Sequence, residues 1–211
     1  LPISYETKAV SALSSNTFIA TGDAPITYSI VSGNLPSGVT LSSSGVLSGT
    51  LPAAASSTTY SFTIRASDAQ NQDSNRSFSL TISPDVVTWV APSLNGSLTV
   101  YETQQFSTPL SATSAAGYGV LYVSNTLPTG ITLDANTGAF TGYANTVGNT
   151  YAQLTATANT TGRYANSNVA FIVNQDVVTW SSPANNTSYT IAQNQAMSPV
   201  TLDRKSTRLN S

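Results

Sequence analysis

Hydrophobic residues alternate with small polar residues in several short stretches of this chain, with a period of two. The alternating sets are Ile26, Tyr28 and Ile30; Tyr60, Phe62, Ile64 and Ala66; Phe78, Leu80 and Ile82; Tyr118, Val120 and Tyr122; and Phe171 and Val173. Alternate side chains of a β-strand share one face, so this spacing is typical of half-buried strands. No helical stripe persists over three turns. The pattern therefore predicts short strands separated by Gly, Pro and Asn turns.

Three collinear matches show that the chain is internally repeated. The segment 85–89 (DVVTW) returns as 176–180, the segment 35–41 (LPSGVTL) returns as 127–133 (LPTGITL), and the segment 5–7 (YET) returns as 101–103. In this alignment Tyr118, Val120 and Tyr122 correspond to Ile26, Tyr28 and Ile30. Units of about 90 residues built from short strands are typical of antiparallel β-sandwiches.

The repeats divide the chain into units. Residues 1–83 (copy one) are predicted to form a sandwich that lacks its first strand, because no DVVTW element precedes it. Residues 84–175 (copy two) are predicted to form a complete sandwich, and residues 176–202 the truncated start of a third repeat. The linkers are only a few residues long, so we expect consecutive sandwiches to stack end to end as a stiff rod.

The last nine residues, 203–211 (DRKSTRLNS), differ abruptly in composition from the rest of the chain. They resemble a translated sequencing adapter, and we interpret them as a sequence artefact that takes no part in the fold. The alternative is a short basic tail that binds an acidic partner.

The segment 35–41 carries its own turn chemistry. Pro36 restricts φ and Gly38 is free to adopt a positive φ, so we expect the chain to turn there before a short strand. Gly45 and Gly49 enclose a second very short strand between two tight turns. The same glycine spacing recurs in copy two.

These turns and the strands around them carry a family resemblance. The run 25–41, followed by 45–50 (GVLSGT) and 60–68 (YSFTIRASD), resembles immunoglobulin-like repeats related to the dystroglycan-type cadherin-like domain. The resemblance covers most of copy one, whereas copy two departs from the pattern at 142–144 (GYA) and 158–159 (AN). It implies an all-β fold of tandem Ig-like or cadherin-like antiparallel β-sandwiches.

Composition narrows the chemistry open to this fold. The 211 residues include seven Lys+Arg, nine Asp+Glu, no His and no Cys. Disulfides, Cys/His metal sites and the commonest general base are therefore absent, and we predict a protein that is not an enzyme. A net charge of −2, or −4 without the tail, provides no field for a nucleic acid backbone. No apolar run approaches the length of about 20 residues that spans a bilayer.

Cadherin-like modules often bind calcium between domains, so the resemblance raises the same question here. The candidate ligands are Asp68, Asp73, Asp85 and Glu102. Calcium takes about six to eight oxygen ligands, several of them carboxylates. The four residues are sparser than the acidic motifs of cadherins, and copy two has Asn159 where copy one has Asp68. We therefore predict no cofactor, keep calcium as the alternative, and favour a turn or strand-end role for Asp68.

Glu6 and Glu102 recur at one repeat position, and paired carboxylates are typical of glycoside hydrolases. Equivalent positions in tandem sandwiches lie tens of ångströms apart, however, whereas that mechanism requires a separation of about 5 to 10 Å. The pair is therefore not predicted to be catalytic.

Aromatic residues offer a second kind of candidate site. Trp89 and Trp180 lie in the repeated DVVTW strand, which favours packing in a core or interface over stacking on a sugar. Tyr143 and Tyr164 are the candidates for contact with a carbohydrate ligand.

These observations predict a non-catalytic stalk or adhesive fibre, a segment of a large extracellular protein on a bacterial surface or a phage virion. The absence of cysteine favours such a source over a eukaryotic secreted protein. The expected partners are neighbouring repeats of the same chain and a surface carbohydrate or protein receptor. Two alternatives stay open: a carbohydrate- or protein-binding Ig-like module, and accessory repeats of a large secreted enzyme.

Overall fold

A computed structural model describes residues 3–13, 15–179 and 186–188. The strands of copy one are β1 (Ile3–Tyr5), β2 (Thr27–Gly33), β3 (Val39–Leu41), β4 (Leu47–Gly49), β5 (Thr58–Ser67) and β6 (Asp73–Ser83), with a short 3-10 turn at Val10–Ala12. The strands of copy two are β7 (Val87–Ala91), β8 (Ser97–Tyr101), β9 (Ser111–Ser114), β10 (Val120–Ser124), β11 (Ile131–Leu133), β12 (Phe140–Gly142), β13 (Gly148–Ala158) and β14 (Tyr164–Asn174). The predicted all-β fold class is confirmed.

Each copy contains a four-stranded sheet of the same topology. The strand order is β1-β6-β5-β2 in copy one and β8-β14-β13-β10 in copy two. The strand β1 pairs parallel with β6, and β8 pairs parallel with β14, whereas the other neighbours in both sheets are antiparallel. Parallel pairing makes β1 and β6 end side by side, with Tyr5 opposite Ser83. The residue after β1 therefore lies next to the linker that leads into copy two.

Shorter strands cover the inner face of each sheet. The hairpins β3-β4 and β11-β12 are equivalent, whereas the β7-β9 pair of copy two has no counterpart among the strands described for copy one. The core of copy one packs around Phe62 and Leu80, and that of copy two around Leu154 and Phe171. The two cores share no residue, so each sandwich buries its own apolar side chains.

Close backbone contacts explain the repeated glycines. Gly38 has φ +77°, which confirms the positive φ predicted for it, and Gly130 has φ +90° in copy two. A Cβ atom at Gly49 would lie 1.9 Å from the carbonyl oxygen of Gly38, and one at Gly142 would lie 2.1 Å from that of Gly130. The two glycines of each pair therefore allow the ends of a hairpin to touch.

The alignment of the two copies at β2 and β10 was wrong by two residues. Tyr122, not Val120, takes the place of Tyr28: each tyrosine hydroxyl accepts a backbone N–H from the loop or strand before it, at 2.7 Å for Tyr28 and 2.9 Å for Tyr122. A shift of two residues keeps the same face of a strand inward, so the alternating pattern does not detect it. Tyr118 consequently lies in the loop before β10, at the boundary between the sandwiches.

Candidate functional site: the junction between the sandwiches

Glu6 follows β1 at the end of copy one that faces copy two, and its side chain is only 2% exposed. Its Oε1 accepts hydrogen bonds from the backbone N–H of Asp85 at 3.0 Å and from Nε of Arg163 at 2.8 Å. Its Oε2 accepts hydrogen bonds from the backbone N–H of Ala54 at 2.7 Å and from Nη2 of Arg163 at 3.3 Å. One buried carboxylate thus joins copy one, the linker and copy two.

Arg163 reaches this carboxylate from the turn between β13 and β14. The turn is closed by a hydrogen bond from the N–H of Ala158 to the carbonyl of Arg163, with Gly162 at φ +68°. Nη2 of Arg163 also donates to the carbonyl oxygen of Ala54 at 2.6 Å. The guanidinium therefore contacts both a side chain and the backbone of copy one.

The charge of Glu6 is strongly favoured in this setting. The hydrogen bonds from Arg163 lower the pKa of Glu6 most, and the N–H groups of Ala54 and Asp85 add to them. These donors outweigh the cost of burial and bring the pKa to about 2. Glu6 raises the pKa of Arg163 in return. The pair is ionised throughout the neutral and mildly acidic range.

The side chain of Asp85 attaches the linker to copy two through hydrogen bonds. Its carboxylate accepts hydrogen bonds from Oγ of Ser114 at 2.8 Å, from the N–H of Ala116 at 2.9 Å and from Oγ1 of Thr161 at 3.0 Å. Burial raises the pKa of Asp85, but these donors outweigh it and hold the pKa below the ordinary value. Because its N–H binds Glu6, Asp85 bonds to both sandwiches.

A second set of contacts lies beside this carboxylate. The hydroxyl of Tyr118 is 2.8 Å from Oγ1 of Thr7 and donates to the carbonyl of Glu6 at 3.4 Å. The ammonium of Lys8 lies 4.5 Å from the centroid of the Tyr118 ring, within the range of a cation–π interaction. Tyr118 thus packs its ring and its hydroxyl against three consecutive residues of copy one.

The four candidate calcium ligands are not brought together. Asp68 and Asp73 lie at the β5-β6 turn, at the opposite end of β6 from the junction. Oδ1 of Asp68 accepts the N–H groups of Gln70 and Gln72 and so closes that turn. Asp73 pairs with Arg65 at 3.4 Å and with the hydroxyl of Ser67.

The other two candidates lie at opposite ends of copy two. Asp85 is at the junction, whereas Glu102 follows β8 at the far end, where its Oε1 accepts the N–H of Asp176 at 3.3 Å. That bond repeats the one between Glu6 and Asp85. Across the described residues, no group of three or more acidic side chains is placed to hold a metal ion. The eleven residues of β14 separate Glu6 from Glu102 by roughly 35 Å.

The aromatic candidates have different environments. Trp89 is buried, donates from Nε1 to the carbonyl of Ala165 at 3.1 Å and packs against the ring of Tyr122, which confirms its predicted role in packing. Trp180 lies outside the described residues, as do residues 181–185 and 189–211, which hold most of the predicted third repeat and the adapter-like tail. Tyr143 and Tyr164 are 59% and 66% exposed and belong to opposite ends of copy two.

Arg163 is a junction residue that no sequence pattern indicates. Only four basic residues precede the adapter-like tail, and a single arginine carries no motif. A usable signal was the recurrence of Glu6 and Glu102, since a repeated carboxylate in a chain with so little charge needs a partner.

Comparisons with known proteins give two matched stretches. Residues 2–83 and 88–175 match the family model described as Putative Ig domain. A search of the curated proteins finds no match. Within the described residues, no helix has the length and apolar character needed to cross a membrane.

Several similar solved structures are cadherin extracellular repeats. Drosophila N-cadherin EC1-4 is 17% identical, covering 83% of this chain and 48% of that one, with a TM-score of 0.37. Mouse cadherin-23 EC22-24 is 18% identical, covering 86% and 66%, with a TM-score of 0.36. Human mucin-like protocadherin EC1-2 is 10% identical, covering 82% and 94%, with a TM-score of 0.36. The chain spans about half the length of the N-cadherin fragment. It spans less than half the length of the protocadherin gamma fragments that it resembles.

Proposed function

Since the chain belongs to the Putative Ig domain family, we propose that it is a non-catalytic stalk or adhesive fibre segment of a large extracellular protein on a bacterial surface or phage virion. The observation that carries this proposal is the bonding of Glu6 to Arg163 across the junction. A spacer must hold successive repeats at a fixed angle, and buried charge-assisted hydrogen bonds between them supply that constraint.

The distribution of charge supports the same role. The two most buried carboxylates among the described residues, on Glu6 and Asp85, both accept several hydrogen bonds within the junction. They hold the linker and the neighbouring sandwich, which is a structural task. Outside the junction, the sequence up to residue 202 is rich in Ser, Thr and Asn and poor in charge, as suits a protein that separates other domains.

Distances between the two sandwiches test the proposal. The chain has no cysteine, so Ser79→Cys and Gln153→Cys, both at exposed positions, introduce one spin label into each sandwich of the full chain. Pulsed dipolar spectroscopy should give a narrow distance distribution for a stiff rod. A broad distribution, as from two independently tumbling domains, would overturn the proposed spacer role.

A second candidate function is carbohydrate binding by copy two. The ring of Tyr151 is 73% exposed on the outer face of its sheet, beside a shallow groove lined by Asn125, Gln153 and Asn168. Exposed aromatic rings flanked by amide side chains suit sugar recognition, because the ring stacks on the apolar face of a sugar and the amides bind its hydroxyls.

Binding of the full chain to a glycan array distinguishes the two functions. A carbohydrate module should bind a defined glycan and lose that binding on Tyr151→Ala, or on Tyr143→Ala or Tyr164→Ala if those tyrosines form the site. No binding on the array would favour the spacer. The third alternative, accessory repeats of a secreted enzyme, is tested by the coding sequence on either side of this segment.

A further inference from the structure

The Glu6 carboxylate has no free acceptor site. An ionised carboxylate offers about four lone-pair positions on its two oxygens. Each oxygen of Glu6 accepts two N–H donors, one from the backbone and one from Arg163. Nη2 of Arg163 also donates to the carbonyl oxygen of Ala54 at 2.6 Å. A metal ion would have to displace these donors to bind here.

Both oxygens of the Asp85 carboxylate also accept hydrogen bonds. Oγ of Ser114 lies 2.8 Å from both of its oxygens, the N–H of Ala116 binds Oδ1 and the hydroxyl of Thr161 binds Oδ2. Calcium takes about six to eight oxygen ligands, several of them usually carboxylates. Glu6 and Asp85 are the acidic residues described at the junction, and neither offers a free oxygen.

We infer that the guanidinium of Arg163 is the resident cation of this junction and that the two sandwiches are held together without calcium. The inference rests on the proposed spacer role, since it names the group that makes the joint stiff. A planar guanidinium binds a carboxylate through two parallel N–H groups and thereby fixes orientation as well as distance.

The cation at this junction is part of the protein and cannot diffuse away. Arg163 belongs to copy two and Glu6 to copy one, so their bond forms only when the sandwiches are stacked. A diffusible ion would make stiffness depend on its concentration. Because the guanidinium of Arg163 is covalently part of the chain, the stiffness of the junction does not depend on divalent ions in the surroundings.

The spin-labelled full chain described above tests the inference in two independent ways. First, the unmodified junction is measured with excess chelator and with millimolar calcium. We expect the same narrow distance distribution in both, and no calcium binding by titration calorimetry. A broader distribution in chelator, or calorimetric binding of calcium at the junction, would overturn the inference.

The second measurement changes the cation. Arg163→Met should broaden the distribution several-fold in width with or without calcium, and Arg163→Lys should restore it in part, because an ammonium keeps the charge without the planar fork. Arg65→Met is the matched control, since it removes a partly exposed arginine that is paired with Asp73 inside copy one. Circular dichroism checks that every variant is folded.

The outcomes separate the inference from the spacer role. A narrow distribution that survives Arg163→Met in a folded chain contradicts the role of Arg163 and leaves the spacer standing. A distribution that is broad in every variant, the unmodified junction included, contradicts the spacer itself.

Discussion

Nε of Arg163 lies 2.8 Å from Oε1 of Glu6, although the two residues are 157 positions apart in the chain and belong to different sandwiches. Their environments are unequal, because the Glu6 side chain is 2% exposed and the Arg163 side chain 38% exposed. Loss of the arginine leaves a buried anion with only backbone donors. Loss of the glutamate charge leaves a cation that water reaches.

This inequality predicts unequal costs for removing either partner. Arg163→Met should lower the free energy of unfolding more than Glu6→Gln does, since an unpaired buried charge is the most costly result of breaking an ion pair. Glu6→Gln should lower it by about 1 to 2 kcal/mol, since the amide oxygen still accepts a backbone N–H. Urea unfolding at neutral pH, fitted with one transition per sandwich, measures both. Equal losses, or a larger loss for Glu6→Gln, would contradict this account.

Low pH should destabilise the folded protein by protonating the carboxylate of Glu6. The folded pKa of Glu6, about 2, lies below its ordinary value of 4.5, so the contribution of Glu6 to stability is complete above 4.5 and is lost as pH falls to about 2. Urea midpoints measured across this range should fall with pH. The Glu6→Gln variant should show a shallower slope, and an identical slope would show that other groups cause the acid sensitivity.

The hydroxyl of Tyr118 should contribute separately from the ion pair. Tyr118→Phe keeps the ring beside Lys8 but removes the bonds to Thr7 and to the carbonyl of Glu6. We expect a loss of about 1 kcal/mol by urea unfolding. Tyr101→Phe is the matched control, because Tyr101 is 47% exposed and its change should stay within about 0.5 kcal/mol. Equal effects of the two variants would rule out a role for the Tyr118 hydroxyl.

A side chain at Gly49 should destabilise the fold. Gly49→Ala places a Cβ atom 1.9 Å from the carbonyl oxygen of Gly38 at φ +113°, so the β3-β4 hairpin must separate. We expect a loss of more than about 3 kcal/mol in the free energy of unfolding, or failure to fold, measured by thermal unfolding. Gly162→Ala is the control, because it also has positive φ but meets nothing within 4 Å and should cost only about 1 to 2 kcal/mol. Similar losses would mean that the close contact is not the cause.

The local features of the fold were predictable because they depend on residues close in sequence. The period of two identified the strands around Tyr28, Phe62 and Leu80, and the turn chemistry identified the positive φ of Gly38. The alignment of Val120 with Tyr28 was wrong because a shift of two residues preserves the inward face. The hydrogen bonds that the hydroxyls of Tyr28 and Tyr122 accept identify these two residues as equivalent.

Repeated all-β sandwiches could be predicted without coordinates, since alternation, turn residues and duplication are local features of the chain. Which charges meet depends on the packing of the two sandwiches. This packing separated the candidate calcium ligands, because Asp68, Asp85 and Glu102 lie at three different ends of the two sandwiches. It joined Glu6 to Arg163, because parallel pairing of β1 with β6 brings Glu6 to the linker and the β13-β14 turn brings Arg163 to the same place. Contacts between residues so distant in sequence depend on how complete domains stack, and no local pattern records that.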